Sequence, residues 1–465
     1  MNKSKYFRFY NFFLFYFLYL TSYIQSDINS DSLEIVAQFN ITEFIKGSDI
    51  VKCKKCMPAG IKLSKNGTIF VSFPRWFDDV YATFAKYNKE KNAFEPWPST
   101  EMNRIYNSSE YPDSNSSGLN SVLGFEIDDE DHLYILDQGK IMNNTAEPGS
   151  IKLMKFNLNG ELLDEYLFDS ILADPDNSFL NDVVIDKKKK LAYISDSGIA
   201  NDKEIEHYKP GLIVVDLEKH LSYRILDRHN SVMPDESFWL HIDNQPVNEK
   251  PMLTGADGLA LSCDGDALYY CPLTGRMVYS ILTSDIKKLI YNNKSLDDIK
   301  IYEGFKKEAS DGLLASSKGN LYITGIETGS IYVANEIEED LLRLDFKDFE
   351  KFEGNKTTMW PDTLAMYDGY LYFVTNQLNN FPDKIDYDNP KNGKYNFAIL
   401  RLSVGNDDSY IQGCTGFRSD WGIGSIIIWI CFAVIILIVL SFVLMGSNNQ
   451  EEVIDKHMNL GIKED

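Results

Sequence analysis

The sequence predicts an all-β fold, a six-bladed β-propeller closed by its N-terminal strand. The first reason is a repeated phrase: Asn or Asp opens a short apolar run, a Gly or Asp turn follows, and a second run contains Leu-Tyr. The second reason is that the runs are short, rich in Val, Ile, Leu, Tyr and Thr, and lack helical spacing, as strands and hairpins do. The copies, of which the first is the weakest, begin at Pro58, Asn120, Asn181, Asp257, Asp311 and Asp362.

The spacing and the ends of the repeat array indicate how the ring closes. Successive copies start about 50 to 75 residues apart, which is room for four strands each, and four-stranded units repeated radially are propeller blades. Only about 40 residues separate Asp362 from Val404, so the sixth blade is one strand short. The segment LEIVAQF at 33–39 is a strand without a partner, and its addition to the last blade would remove two exposed sheet edges.

The remaining segments of this region are predicted to be loops, with one short helix. Stretches 100–118, 140–150, 200–210 and 228–254 are rich in Asn, Ser, Asp, Glu and Pro, which is typical of loops on the two rims of a propeller. The stretch TSDIKKLIYN at 283–292 is predicted to be a helix.

Two apolar segments outside the repeats predict a single-pass membrane protein. Residues 1–26 carry basic residues, then an apolar run, then polar residues, which is the layout of a secretory signal peptide with cleavage after Ser26. Residues 423–445 contain no charge, and a helix of that length, at about 1.5 Å per residue, spans a bilayer core of roughly 30 Å. Residues 405–422 would be a tether and 446–465 a cytosolic tail, with the propeller extracellular or in the secretory lumen.

Candidate glycosylation sites and a candidate disulfide agree with this predicted topology. Seven Asn-x-Ser/Thr sites fall in the predicted exterior, at Asn40, Asn66, Asn107, Asn115, Asn143, Asn293 and Asn355. Cys53 and Cys56 form a CxxC that lacks a second CxxC or a His pair nearby, so we expect a local disulfide rather than a zinc site. Cys263 and Cys271 flank the Asp264-Gly265 turn unequally, so we expect both to be partly buried free thiols.

The composition excludes one class of partner. The formal net charge of -23 and the pI near 4.7 make nucleic acid an unsuitable partner, because phosphate binding requires a basic surface. The same charge favours a cationic ligand.

The first residues of the repeated phrase predict a binding site. In a propeller the innermost strand of each blade lines a central channel, so the residues that open these strands cluster around one mouth. The predicted polar ring comprises Asn120, Asn181, Asp182, Asp257, Asp311 and Asp362. Such a ring could bind an amine or hold a calcium ion through its oxygens. Alternatively, each side chain could satisfy only local backbone N–H groups where its strand begins.

The sequences of the blades resemble those of the major royal jelly protein and yellow family of insects, which also occurs in microbes. The clearest phrases are GTIFVSFPRW at 67–76, EPWPS at 95–99, SVLGFEIDDEDHLYILDQG at 121–139, ADGLALSCDGDALYYCPLTGRMVYSILT at 256–283 and WPDTLAMYDGYLYFVTNQL at 360–378. The resemblance covers residues 33–404 and implies a six-bladed propeller that binds small amines or aromatic metabolites in its channel. A C-terminal membrane span is unusual for this family.

Three functions remain open at this point. The favoured one is a membrane-anchored propeller that binds a small amine or aromatic ligand and is not a hydrolase. An enzyme of the dopachrome-isomerising or calcium-dependent lactonase-like type is the second, although the first blade has no acid in its stretch at 57–60. An adhesion or scaffold ectodomain is the third. No catalytic residue and no metal-ligand spacing is recognisable, so calcium in the channel is the one candidate cofactor.

Overall fold

The computed structural model describes residues 33–77, 79–105, 118–141, 144–199, 204–292, 294–334, 349–354, 360–381, 383–388 and 395–415. The predicted signal peptide at 1–26, the span at 423–445 and the tail at 446–465 lie outside the described residues. None of the helices in the described ranges is long and apolar enough to cross a membrane.

Six sheets form the blades of the propeller, and all strand pairs in them are antiparallel except one in the first blade. In chain order their inner strands are β4, β8, β12, β18, β22 and β26, and a separate small hairpin is formed by β16 and β17. The strands are β1 (Glu34–Phe39), β2 (Thr42–Lys46), β3 (Asp49–Cys53), β4 (Ile61–Leu63), β5 (Ile69–Ser72), β6 (Phe84–Asn88), β7 (Ala93–Pro96), β8 (Val122–Ile127), β9 (Leu133–Asp137), β10 (Lys152–Phe156), β11 (Leu162–Leu167), β12 (Leu180–Asp186), β13 (Leu191–Asp196), β14 (Gly211–Asp216), β15 (Leu221–Ile225), β16 (His241–Ile242), β17 (Gln245–Pro246), β18 (Ala256–Leu261), β19 (Ala267–Pro272), β20 (Met277–Leu282), β21 (Ile301–Lys306), β22 (Leu313–Ala315), β23 (Leu321–Gly325), β24 (Ser330–Ala334), β25 (Phe349–Gly354), β26 (Trp360–Tyr367), β27 (Tyr370–Asn376) and β28 (Phe397–Ser403).

The inner strands close into a ring. Strand β4 packs on β8, β8 on β12, β12 on β18, β18 on β22, β22 on β26, and β26 returns to β4. The apolar core is divided into clusters that lie mainly between adjacent blades, each built from the inward-facing residues of two or three sheets. This arrangement confirms the predicted six-bladed propeller.

The ring is closed by the N-terminal strand, as predicted. Strand β1 pairs antiparallel with β28, with Ala37 opposite Ile399 and Phe39 opposite Phe397. The sixth sheet therefore has the order β1-β28-β27-β26 and joins the two ends of the propeller sequence. Strand β1 is the fourth strand of the sixth blade, because the sixth repeat itself supplies only three strands.

The first blade carries an addition that the repeat does not predict. Strands β2 and β3 form a hairpin, and β2 runs parallel to the outer strand β7 through the pair Phe44 and Phe94. This hairpin covers a sheet edge that would otherwise be exposed. A disulfide with an S–S distance of 1.96 Å joins Cys53 and Cys56 directly after it.

The cysteines of the fourth blade have different states. Cys271 is a free thiol and is fully buried on β19. Cys263 is disulfide-bonded, so the expectation of a free thiol there is wrong. The spacing of Cys263 and Cys271 around the Asp264-Gly265 turn argues only against a disulfide between these two cysteines. It does not exclude a disulfide from Cys263 to a distant cysteine.

The loops and helices follow the sequence analysis in part. Helix α1 occupies Thr283–Asn292, as predicted, and short 3-10 helices occupy Ile205–His207, Leu296–Asp298 and Tyr410–Gln412. The long loop at 228–254 contains the hairpin β16–β17 and packs an apolar cluster, including Phe238 and Leu240, against Trp360. Asn40 and Asn66 of the candidate glycosylation sites are exposed, and the other five lie outside the described residues.

Candidate functional site

The opening residues of the repeated phrase lie in a recurrent irregularity of the inner strands. In four blades the pairing of the first two strands skips two residues, which form a β-bulge that re-aims their side chains. The skipped pairs are Leu123-Gly124, Asn181-Asp182, Asp257-Gly258 and Asp362-Thr363. In the fifth blade Asp311-Gly312 stands directly before β22. In blades three, four and six the bulge thus places the first polar residue of the phrase at the same end of the inner strand, and Asp311 stands at that end in blade five.

Close contact between neighbouring blades explains the glycine of the Asp-Gly phrase. A β-carbon on Gly258 would lie 2.8 Å from the backbone oxygen of Asp311, and one on Gly312 would lie 2.5 Å from that of Asp362. Those distances are too short for any side chain. Glycine therefore allows the carbonyl of the next blade to approach, and this approach brings the acids of successive blades together.

The side chains of four blades form a continuous chain of contacts. The Asn181 Nδ2 donates to Asp257 Oδ2 at 2.6 Å, and the carboxyl group of Asp257 neighbours that of Asp311, so that each influences the pKa of the other. The Trp360 Nε1 donates to Asp311 Oδ2 at 2.6 Å. This chain links the inner strands of blades three to six.

Asp362 connects the sixth blade to the first. Its Oδ2 accepts a hydrogen bond from Asn376 Nδ2 at 2.8 Å, and the same nitrogen donates to the backbone oxygen of Pro58 at 3.0 Å. At the equivalent position the first blade has Ala59, which is followed by Gly60 and β4. The acids are therefore concentrated on one side of the ring, in blades four to six.

Burial strongly disfavours negative charge on these acids. Burial, reinforced by the neighbouring carboxyl of Asp311, raises the pKa of Asp257 well above its usual value. The pKa of Asp362 is raised well above its usual value for the same two reasons, and burial raises that of Asp311. Asp257 is fully buried, and its Oδ1 has no hydrogen-bond donor among the described residues.

A lysine and a thiol lie next to the acids. The buried Lys307 Nζ donates to the backbone oxygens of Gly275 and Glu308, both at 3.0 Å, and burial lowers its pKa. Burial also raises the pKa of the Cys271 thiol, so the thiol is not activated. Lys307 contributes positive charge near Asp257 and Asp311 while its hydrogen bonds go to the backbone.

The structure does not bring all six predicted residues to one place. Asn181, Asp257, Asp311 and Asp362 share the bulge position, but the equivalent residue of the second blade is Leu123, and Asn120 lies three residues before it. Asn120 therefore stands outside the shared bulge position, three residues before it. Its backbone N–H donates to Asp137 Oδ2 at 2.7 Å instead.

Asp182 occupies the second bulge position, where the second and fourth blades have glycine and the sixth has Thr363. Its Oδ2 accepts the Leu259 N–H at 3.0 Å, and its Oδ1 accepts the Val183 N–H at 2.8 Å. Burial raises its pKa to about 6, although the Lys62 ammonium favours its charged form. Asp182 therefore connects two blades inside the channel and is not part of the chain from Asn181 to Trp360.

The opposite mouth of the channel contains residues that the sequence analysis missed. After β28 the chain crosses this mouth as a strap at 405–413. The Asp407 side chain accepts a hydrogen bond from Asn320 Nδ2 at 2.6 Å on the fifth blade. The Tyr410 hydroxyl accepts the Ile185 N–H at 3.0 Å and donates to Glu126 Oε2 at 3.3 Å. This part of the predicted tether is thus packed on the propeller.

Two cavities flank the strap. One of about 370 Å³ is lined by residues that include Lys62 and Glu126, and the other of about 410 Å³ by residues that include Asp186 and Tyr410. Lys62 and Glu126 form a buried ion pair with an N–O distance of 3.2 Å. The described residues include no group of three or more His, Cys, Asp or Glu side chains placed to hold a metal ion.

Comparisons with solved structures return several proteins that are similar to this chain over most of its length. Virginiamycin B lyase from Staphylococcus aureus has 13% identity and a TM-score of 0.40, and the match covers 80% of this chain and 99% of that one. A luciferin-regenerating enzyme has 12% identity, a TM-score of 0.44 and coverages of 81% and 97%. A gluconolactonase from Xanthomonas campestris has 10% identity, a TM-score of 0.43 and coverages of 80% and 95%. Likenesses at this level carry no argument about activity.

The sequence itself matches a protein family. A search of curated proteins found no match. The family model described as major royal jelly protein matches residues 120–411, which include five of the six inner strands and the strap as far as Ile411. The chain therefore belongs to the major royal jelly protein family.

Proposed function

We propose that this chain is a binding protein that holds a small organic amine at the acidic side of its propeller ring, and that it is not a hydrolase. The observation that carries the proposal is the Oδ1 of Asp257, a fully buried carboxylate oxygen without a donor, beside the carboxyl group of Asp311. A buried, unsatisfied acceptor is costly, and an ammonium group can supply the missing hydrogen bonds and charge.

The surroundings of the pair support a ligand with an aromatic or apolar body. Asp311 is partly exposed, so a ligand that approaches from the mouth would meet this residue first. The indole of Trp360 holds its other oxygen, and the loop at 228–254 brings apolar side chains to the same mouth. Binding sites for small molecules combine apolar surroundings with a few convergent polar groups.

Calorimetry on the full-length protein in detergent would test the proposal. Tryptamine, tyramine and cadaverine serve as amine probes, and indole and phenol serve as neutral probes of similar shape. We expect at least one amine to bind more tightly than millimolar. Simultaneous replacement D257N/D311N should weaken that binding at least about tenfold, because it removes the charge that pairs with the ammonium group.

A matched control separates the ring from the general acidity of the protein. Glu236 and Glu249 are exposed acids on the 228–254 loop, so E236Q/E249Q removes two carboxylates without changing the ring. Amine binding should be unchanged in this variant. Failure of every amine to bind, or equal losses in both double variants, would contradict the proposal.

We also propose that the propeller is anchored to a membrane and faces the extracellular space or the secretory lumen. The support is the sequence: the signal-like segment at 1–26 and the uncharged segment at 423–445. Expression in cells followed by glycosidase treatment and protease protection tests this topology. We expect Asn40 and Asn66 to carry glycans, and glycan-free protein that is fully released by carbonate would contradict the anchoring.

A further inference from the structure

The contact between Asp257 and Asp311 leaves one oxygen without a donor. The two Oδ2 atoms are satisfied, that of Asp257 by Asn181 at 2.6 Å and that of Asp311 by Trp360 at 2.6 Å. Asp257 Oδ1 has no donor within the part of the chain that the structure describes, and Asp257 is fully buried. A proton held between the two groups or a bound cation would complete this contact, because two carboxylate groups have no hydrogen of their own to donate.

Two carboxylates in direct contact do not both ionise readily in a buried site. The groups around the pair do not remove this conflict. Asp362 on β26 is a third buried acid whose pKa is raised, and the Cys271 thiol on β19 is kept neutral by burial, so neither supplies a positive charge to the pair. The charge of Lys307, which follows β21, opposes the rise in the pKa of Asp311 without cancelling it. Its ammonium group donates its hydrogen bonds to backbone oxygens and not to the two acids. These surroundings favour a single proton held between the two carboxyl groups.

We propose that the ring binds its cation in exchange for this proton. The inference rests on the amine-binding function proposed above. An ammonium ion arrives with its charge, the proton shared by Asp257 and Asp311 leaves to solvent, and both carboxylates then accept hydrogen bonds from the ammonium group. Charge balances, since one positive ion enters and one leaves, and no covalent bond to carbon changes.

The exchange makes affinity depend on pH. Each unit of acidification should weaken amine binding by about tenfold while the pair holds its proton, since the proton competes for the same oxygens. The protein would hold its ligand at neutral pH and release it in an acidic compartment.

Calorimetry in two buffers with different ionisation enthalpies measures the exchange directly. At pH 6.5 we expect the full-length protein to release about one proton for each tryptamine or tyramine bound. In D257N the single carboxylate of Asp311 has no proton to share, so the amine should bind more weakly, with no proton release and no tenfold pH slope. D311N provides the same test if D257N does not fold, and E236Q should behave as the wild type.

Infrared spectroscopy provides a second readout that needs no ligand. The difference spectrum between wild type and D257N at pH 7 should contain the carbonyl band of a protonated carboxylic acid. Absence of this band overturns the exchange. Amine binding without proton release also overturns it but leaves the binding function intact, whereas failure of all the amine probes overturns both.

Discussion

At the scale of single residues, the ring depends on positions where no side chain fits. Gly312 has ordinary backbone geometry, but a β-carbon there would lie 2.5 Å from the backbone oxygen of Asp362 in the next blade. The sequence Asp311-Gly312 thus indicates a close contact between two blades, and not only a turn. The requirement comes from tertiary packing, because the nearest atom belongs to another repeat.

Replacement of Gly312 by Ala should destabilise the propeller by about 1–3 kcal/mol, because the fifth and sixth blades must separate to admit the methyl group. Gly275 is the matched control, since a β-carbon there would meet nothing closer than 3.4 Å. Denaturant unfolding of both variants measures the effect. Equal stabilities for G312A and the wild type would contradict the close approach of the two blades.

The packing of the strap on the propeller depends on one hydroxyl group, that of Tyr410. The Tyr410 hydroxyl both accepts the Ile185 N–H at 3.0 Å and donates to Glu126 Oε2 at 3.3 Å. Y410F should cost about 1–3 kcal/mol, because a buried backbone donor loses its partner. Hydrogen exchange at Ile185 should accelerate. Tyr367 donates to the backbone oxygen of Lys65 at an exposed site, so Y367F should have little effect, and equal effects would contradict this role of the strap.

At the scale of elements, the closing strand β1 is a test of the architecture. Ala37 is buried against the sixth blade, whereas the next residue, Gln38, is exposed. A37K should therefore destabilise the propeller by at least about 2 kcal/mol, because an ammonium group cannot be buried there without a partner, and Q38K should be nearly neutral. Thermal unfolding distinguishes them, and the reverse order would mean that β1 is paired in another register.

The elements that the sequence predicts are those that its periodicity specifies. The repeated phrase predicts six blades, the missing strand predicts the pairing of β1, and the residue pattern predicts α1 at its observed ends. Hairpin β2–β3 and the strap have no counterpart in the repeat, so no pattern indicates their position. The repeated phrase predicts Asn120 for the ring because it is the first residue of its copy, but pairing with β9 places Leu123 at the bulge position.

At the scale of the whole molecule, the buried acids determine how stability responds to pH. The pKa of Asp182 is raised from 3.8 to about 6, so between these values the folded chain holds a proton that the unfolded chain has lost. Its contribution to stability is present below pH 4 and is lost as pH rises through 6. The pKa values of Asp257 and Asp362 are also raised well above their usual values, so these two acids extend the loss of stability to higher pH. Asp216, with its pKa lowered to about 2, acts in the opposite direction but only below pH 4.

The melting temperature of the full-length protein should therefore fall as pH rises from 4.5 to 7. In D182N the fall over the lower half of this range should shrink by at least about 2 °C, because the group that exchanges its proton there is gone. The slope is the relevant measure, since the amide side chain of this variant would also lose one of the two backbone hydrogen bonds that Asp182 accepts, which lowers stability at every pH. E236Q, which changes an exposed acid, should keep the wild-type slope. A D182N profile parallel to that of the wild type would show that Asp182 is ionised throughout the range.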